Sequence, residues 1–444
     1  MKQRSTFQTI FLTVFCVIAV VSVIVFAKSP AKGSSVKAIA GAHGTVMVWG
    51  TFPEGGVYSV LNVFNAQYRD SFSVDYQFHD AKNFDNDIVE ALASGRGPDI
   101  LLLPDDLILR HSDKIELMAW SPAFDQLSYQ NTFLQASELY MRPGGTLAIP
   151  FAVDPMVMYW NRDLFNNASI TQPPQYWDEF LTMAPKLTKR DPKSGDIAQS
   201  AISFGEFTNL ENAKQIIAML FLQVGNPIVE FNSKGLFAAL AQKQDQIFVA
   251  NEDVASAFRF FMDFSNPLKN IYSWSRALPN SRDQFINGNL AVYFDYASAY
   301  HTLQTKNPHL NFVVAGVPQP RNTKVTTTIA HVYGLSVLKT SKNKATAFIA
   351  IQRLLDNDPS SKFATAFSLP PVRRDLLSHK PTDAVFSVLY DAAIESRAWL
   401  DPRPELSTSA FQEAVEGVAS GRTDIVQAVS KLSQALDTAL TPYR

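Results

Sequence analysis

The sequence has one cysteine in 444 residues, Cys16, and it lies inside an N-terminal apolar run. A cysteine-free remainder excludes disulfides, cysteine-based zinc sites and a cysteine nucleophile from everything downstream. It also suits export, because a chain without thiols cannot mispair in an oxidising compartment. An excess of either charge is missing too: 39 Lys and Arg stand against 41 Asp and Glu, a formal net charge of -2. The basic residues form no cluster, so nothing supplies the basic face that a nucleic-acid partner requires. No G-x-S-x-G, H-E-x-x-H or P-loop occurs, and the seven histidines are scattered without metal-ligand spacing. No catalytic residue, metal or cofactor is therefore predicted.

What is present is a globular composition, 46% hydrophobic and 18% charged, in a chain long enough for two or three domains. Lys2 and Arg4 precede an apolar run from Ile10 to Ala27. Flanking positive charge places the chain beyond the run outside the cytoplasm. At about 18 residues the run is at the lower edge for spanning a bilayer and longer than a usual secretion signal. Bulky Phe15 before Cys16 argues against a lipidated cysteine, whereas Val25 and Ala27 suit a signal-peptidase site. An uncleaved membrane anchor is the favoured reading and a cleaved signal the alternative. Residues 28–44, rich in Lys, Ser, Gly and Ala, read as a flexible tether.

Beyond the tether, short apolar runs alternate with helical periodicity. Val46–Trp49 reads as a strand. Val57, Val60, Leu61, Phe64 and Tyr68 recur at helical spacing, and Phe72–Phe78 alternates like a strand. Phe84, Ile88 and Leu92 share a helix face that Gly95 can end, and Ile100–Leu103 reads as a strand covered on both faces. This β-α-β-α-β order predicts a doubly wound α/β layer, with ligands bound beyond the carboxyl ends of its strands. Thr51, Asp105 and Asp106 lie at those ends. Leu147–Tyr159 is strand-like, but Pro150 and Pro155 argue against a simple central strand and for a crossing between domains. Thr208 and Glu211 have capping-box spacing ahead of an apolar helix face beginning at Ala213. Further strands are read at Ala291–Phe294, Phe312–Val314 and Leu335–Leu338. Helices are read around Ala345, Phe348, Ile349 and Leu355, and from Ile425 to Ala439.

Six pieces, in order, resemble the bacterial extracellular solute-binding proteins of the maltose-binding type. They are VMVWG, GRGPDILLLPDD, LAIPFAVDPMVMYWNRDLF, PPQYWDEF, FINGNLAVYFDY and LPPVRRDLL. The resemblance implies a two-lobed, type II periplasmic-binding-protein-like fold. Each lobe would be an α/β sheet with flanking helices, joined to the other by a multi-segment hinge. Crossing-like segments near Asp154, His331 and Pro370-Pro371 predict lobe 1 from 45–151 and 330–369, and lobe 2 from 156–326 and 374–444. The implied function is capture of a small molecule, an oligosaccharide by preference, and delivery to an ABC importer permease by an extracytoplasmic monomer. Receptor or adhesion use of the same fold without transport is the alternative, and an extracytoplasmic glycosidase a remoter one. Where sugar-binding relatives carry Asn-Gly-Pro-Trp after the FINGNLAVYF strand, this chain has Asp295, Tyr296, Ala297 and Ser298. That departure puts a maltodextrin ligand in doubt.

A sugar site needs aromatic faces for ring C–H surfaces and carboxylates or amides for hydroxyls. The candidates are Thr51, Asp105, Asp106, Asp154, Glu206, Asn209, Trp274, Tyr296, Tyr333 and Trp399. Glu206 and Asn209 enter through family likeness of their loop. Trp274 enters because Ser273 and Ser275 flank it, and Trp399 because it precedes Asp401-Pro402-Arg403-Pro404. His331 is weighed and read as a structural histidine.

Overall fold

A computed structural model describes residues 41–122, 124–232, 235–244, 247–321 and 323–444. The Ile10–Ala27 run, Cys16 and nearly all of the tether lie outside the described residues. Among the described residues, no helix is long and apolar enough to cross a membrane.

The first part of the chain folds as its periodicity requires. Strands β1 (Gly44–Gly50), β2 (Phe72–Phe78) and β3 (Ile100–Pro104) are parallel, in the order β2-β1-β3. The connections are helices α1 (Glu54–Tyr68) and α2 (Phe84–Ala93). Helix α1 buries Val57, Val60, Leu61, Phe64 and Tyr68, the stripe that a 3.6-residue period selects. Gly95, at φ +67° just past α2, takes the left-handed conformation that closes a helix.

The sheet continues through β4 (Ile149–Asn161), β5 (Lys189–Arg190), β6 (Ile197–Ile202), β7 (Leu290–Tyr296), β8 (Phe312–Ala315), β9 (Thr328–Val337) and β10 (Ser396–Arg397). Its order is β2-β1-β3-β9-β4-β7-β6-β5, with β8 on β4 and β10 on β9. The mixed α/β layer is completed by α3 (Ala213–Gln223), α4 (Glu252–Asp263), α5 (Lys344–Leu354), α6 (Asn357–Ala366), α7 (Ala384–Glu395), α8 (Pro404–Ala419) and α9 (Ile425–Leu440).

Three local readings are corrected. First, β4 is one continuous strand with every residue buried, its prolines included. It pairs with β9 over Ile149–Pro155 and with β7 over Met156–Trp160, so Pro155 falls where the strand changes partner. Second, β9 begins well before Leu335, which puts His331 and Tyr333 inside a strand. Third, the Thr208/Glu211 capping box does not form. Asn212, at φ +56°, precedes α3, and Glu211 instead meets Arg282 at 3.1 Å. The helix read around Ala345, Phe348, Ile349 and Leu355 forms as α5, which buries Thr346, Ala347, Ala350, Ile351 and Leu354; Phe348 and Leu355 line a cavity of about 590 Å³ beside Met118 and Phe124.

Candidate functional site: a carboxylate cluster at the strand ends

Five strands converge on one cluster. The chain leaves β3 into a tight turn, Asp105–Leu107. There the Asp105 carboxylate accepts from His331 Nδ1 (2.9 Å) and from the Val332 amide (3.2 Å), both on β9. Asp154 on β4 is the register partner of His331 and accepts from the Ser298 amide at 3.0 Å. Tyr296 ends β7, and its ring lies on the His331 ring with centroids 4.4 Å apart. Tyr333, two residues along β9 and so on the same face as His331, stands edge-on to Phe52, the residue after Thr51, at 4.8 Å. Thr51, Asp105, Asp106, Asp154, Tyr296 and Tyr333 are thereby brought into one region, at the carboxyl ends of β1, β3 and β7 and across β4 and β9.

Asp106 is partly exposed and has no hydrogen bond or ion pair among the described residues. Burial, reinforced by the Asp105 charge, pushes its carboxyl up to about 6, against the pull of His331 and Lys214. Burial also lifts Asp154 to about 6, opposed by the Ser298 amide. For His331, burial disfavours the imidazolium, but the charge and hydrogen bond of Asp105 outweigh it, helped by Asp106 and Asp154. Its value is held up at about 9. At neutral pH His331 is therefore a cation, and Nδ1–H donates to Asp105. Burial and the charges of Asp105 and Asp154 hold the Tyr296 phenol well above its ordinary range.

An ion pair that the sequence did not disclose faces Asp106. Lys214, in the first turn of α3, places Nζ 2.8 Å from Asp401 Oδ2 and 3.2 Å from Ser407 Oγ, with both charged side chains buried. The charges of Lys214 and Asp401 both act on Asp106, in opposite directions. Trp399, two residues before Asp401, is nearly buried, its ring 6.2 Å from that of Phe411 on α8. A signal for Lys214 existed: it is a lone cation on an apolar helix, at the terminus where the helix dipole disfavours positive charge.

The remaining candidates form a separate group. Trp274 is fully buried, and its indole N–H donates to Asn209 Oδ1 at 3.1 Å. Asn209 Nδ2 in turn donates to the carbonyls of Ser275 and Leu278. The polar setting that singled out Trp274 has a structural use: the Ser273 hydroxyl accepts from the Ala201 and Ile202 amides of β6. Trp274 thus stands as a core residue here, and Asn209 as its clamp. Glu206 is buried against Arg276 at 3.0 Å, on a cavity of about 450 Å³ also lined by Arg259, Asp263 and Ser420. Void size does not mark the carboxylate cluster; its convergent polar groups do. Among the described residues, no group of three or more His, Cys, Asp or Glu is placed to hold a metal ion.

The fold is shared with known proteins. The sugar-binding protein MalE of Xanthomonas citri is 20% identical, with a TM-score of 0.71 over 90% of this chain and 98% of that one. The cyclic alpha-maltosyl-1,6-maltose binding protein of Arthrobacter globiformis is 14% identical, with a TM-score of 0.72 over 90% and 99%. A curated Brucella abortus protein described as a binding protein is 43% identical over 56 residues, 13% of either chain. The matched stretch thus spans about an eighth of that relative's length. The family model for bacterial extracellular solute-binding proteins matches residues 31–356. With most of its length matched and the same two-lobed fold in its structural neighbours, this chain belongs to the bacterial extracellular solute-binding protein family.

Proposed function

We propose that the protein captures an oligosaccharide between two closing lobes outside the cytoplasm and passes it to an ABC importer, performing no chemistry on it. The observation that carries this reading is the convergence of Asp105, Asp106 and Asp154 with Tyr296 and Tyr333 at the strand ends. Carboxylates accept hydroxyl hydrogens and aromatic rings cover C–H faces. One structural neighbour is a cyclic alpha-maltosyl-1,6-maltose binding protein and another a sugar-binding protein, which supports the same class here.

The lobes are 45–151 with 330–369, and 156–326 with 374–444. Strands β4 and β9 would form the hinge, because each runs from one half of the sheet to the other. A ligand touching both halves binds the closed state better and favours it by that difference. The protein acts as a monomer held at the membrane by Ile10–Ala27. Mass spectrometry of the native protein should find that peptide still attached; a mature chain starting at Lys28 would establish cleavage instead.

The test of function is a thermal-shift screen against sugars and polyols. A ligand at ~100 times its dissociation constant stabilises by about 2.7 kcal/mol. A hit is followed by incubation and product analysis. Saturable binding without product supports the reading, and turnover or an absence of any carbohydrate hit removes it.

A further inference from the structure

Four carboxylates and two cations make up the charges of this region. Asp105 is taken by His331 at 2.9 Å, and Asp401 by Lys214 at 2.8 Å. Each cation therefore already has its own partner. Asp154 keeps a single backbone donor, the Ser298 amide, and Asp106 has no partner among the described residues. A further cation, Arg282 on the short helix Ser281–Ile286, is committed to Asp295 at 3.0 Å and Glu211 at 3.1 Å. The three tyrosines facing the cluster, Tyr140, Tyr296 and Tyr333, stay neutral.

An independent feature points to a missing guest. Tyr296 is 7% exposed, and its hydroxyl has no hydrogen-bond partner among the described residues. The ring lies on His331, whose Nδ1 is 2.9 Å from Asp105, so the orphaned hydroxyl belongs to a residue packed against the carboxylate cluster. A buried hydroxyl without a partner is costly, and native sites rarely leave one so.

We infer that the ligand of this cleft carries a protonated amine, placed between Asp106 and Asp154 within reach of the Tyr296 hydroxyl. The inference rests on the solute-binding reading above and narrows its ligand class. Neutral sugar hydroxyls can fill carboxylate lone pairs, but they leave the negative charge of Asp106 and Asp154 uncompensated. An ammonium group offsets one of those two charges and brings three donors, enough for both carboxylates and the tyrosine oxygen. A divalent metal would meet the charge as well, but no metal-holding group of side chains is present among the described residues. An amino sugar and a linear polyamine share the required chemistry.

The experiment is calorimetric titration of the intact chain with matched panels. Glucosamine, galactosamine, mannosamine and the glucosamine disaccharide are compared with their hydroxyl and N-acetyl counterparts, and spermidine is added as a polyamine. For at least one set, the amine member is expected to bind tenfold or more tightly than both counterparts. In Asp106→Asn and Asp154→Asn, each checked for a cooperative melting transition, that ratio should collapse toward one. Equal or tighter binding of the hydroxyl or N-acetyl members would overturn the inference and leave the carbohydrate reading standing. Binding of spermidine without any sugar would keep the ammonium and remove the carbohydrate. No binding by any panel member would remove both.

Discussion

Lys214 and His331 are the two cations of this region, and sequence patterning disclosed the partner of neither. A lone lysine on a helix reads as solvated, and a lone histidine as a satisfied structural residue; their partners Asp401 and Asp105 lie 187 and 226 residues away. Removing one member of a buried ion pair strands the other. Lys214→Met is therefore expected to cost about 3–5 kcal/mol, read by urea unfolding, and Lys214→Met with Asp401→Leu should recover much of that loss. A loss below about 1 kcal/mol for the single variant would show that Asp401 finds water instead. For His331 the folded value, about 9, lies above the unfolded 6.5, so its contribution is full below pH 6.5 and disappears as pH rises through about 9. It amounts to about 3 kcal/mol. The groups facing it are Asp105, Asp106, Asp154 and the Tyr296 ring. Melting temperatures of the ligand-free protein should fall between pH 6.5 and 9, and His331→Gln should flatten that fall. Parallel pH profiles for the two proteins would place the effect elsewhere.

Single elements were legible wherever period and length agreed. The stripe of α1 and the limits of β2 follow directly from the pattern, because one face of each must be apolar. Strands β4 and β9 were underestimated for a physical reason: proline breaks a ladder only where its missing N–H is needed, and β4 changes partner at Pro155. The register shift in β9, between Tyr333 and Gly334, could not be read at all. A Cβ on Gly334 would come 2.6 Å from Ala148 Cβ and 3.0 Å from the Tyr140 ring, whose hydroxyl donates to the Val332 carbonyl at 2.7 Å. Gly334→Ala is thus expected to destabilise by about 1–3 kcal/mol through overpacking and to weaken ligand binding by displacing the segment that carries His331 and Tyr333. Denaturant melts with titration check both. Unchanged stability would mean that Tyr140 yields without cost.

For the whole molecule, the family order of motifs was legible, whereas the charge balance of the cleft was not, since it exists only where distant segments meet. Asp106 stands at the end of β3, and the charges acting on it from the other side, Lys214 and Asp401, come from the region built around α3 and α8. If those regions are the two lobes, closing without a guest desolvates Asp106 and Asp154, both of which then protonate near pH 6. In an open cleft the two carboxyls titrate closer to their ordinary value of about 4. The closed form therefore takes up protons, and linkage fixes the sign: ligand-free closure is disfavoured above pH 6 and relieved as pH falls toward 4. Each carboxyl shifted by about two units changes the closed-to-open ratio by up to about a hundredfold across that window. Small-angle scattering of the ligand-free protein should then give a smaller radius of gyration at pH 5 than at pH 8. Asp106→Asn, which removes one of the two charges, should be more compact than the parent at pH 8. Circular dichroism at both pH values controls for unfolding, which would enlarge the particle at low pH rather than contract it. A radius independent of pH in both proteins would mean that the carboxylates do not oppose closure.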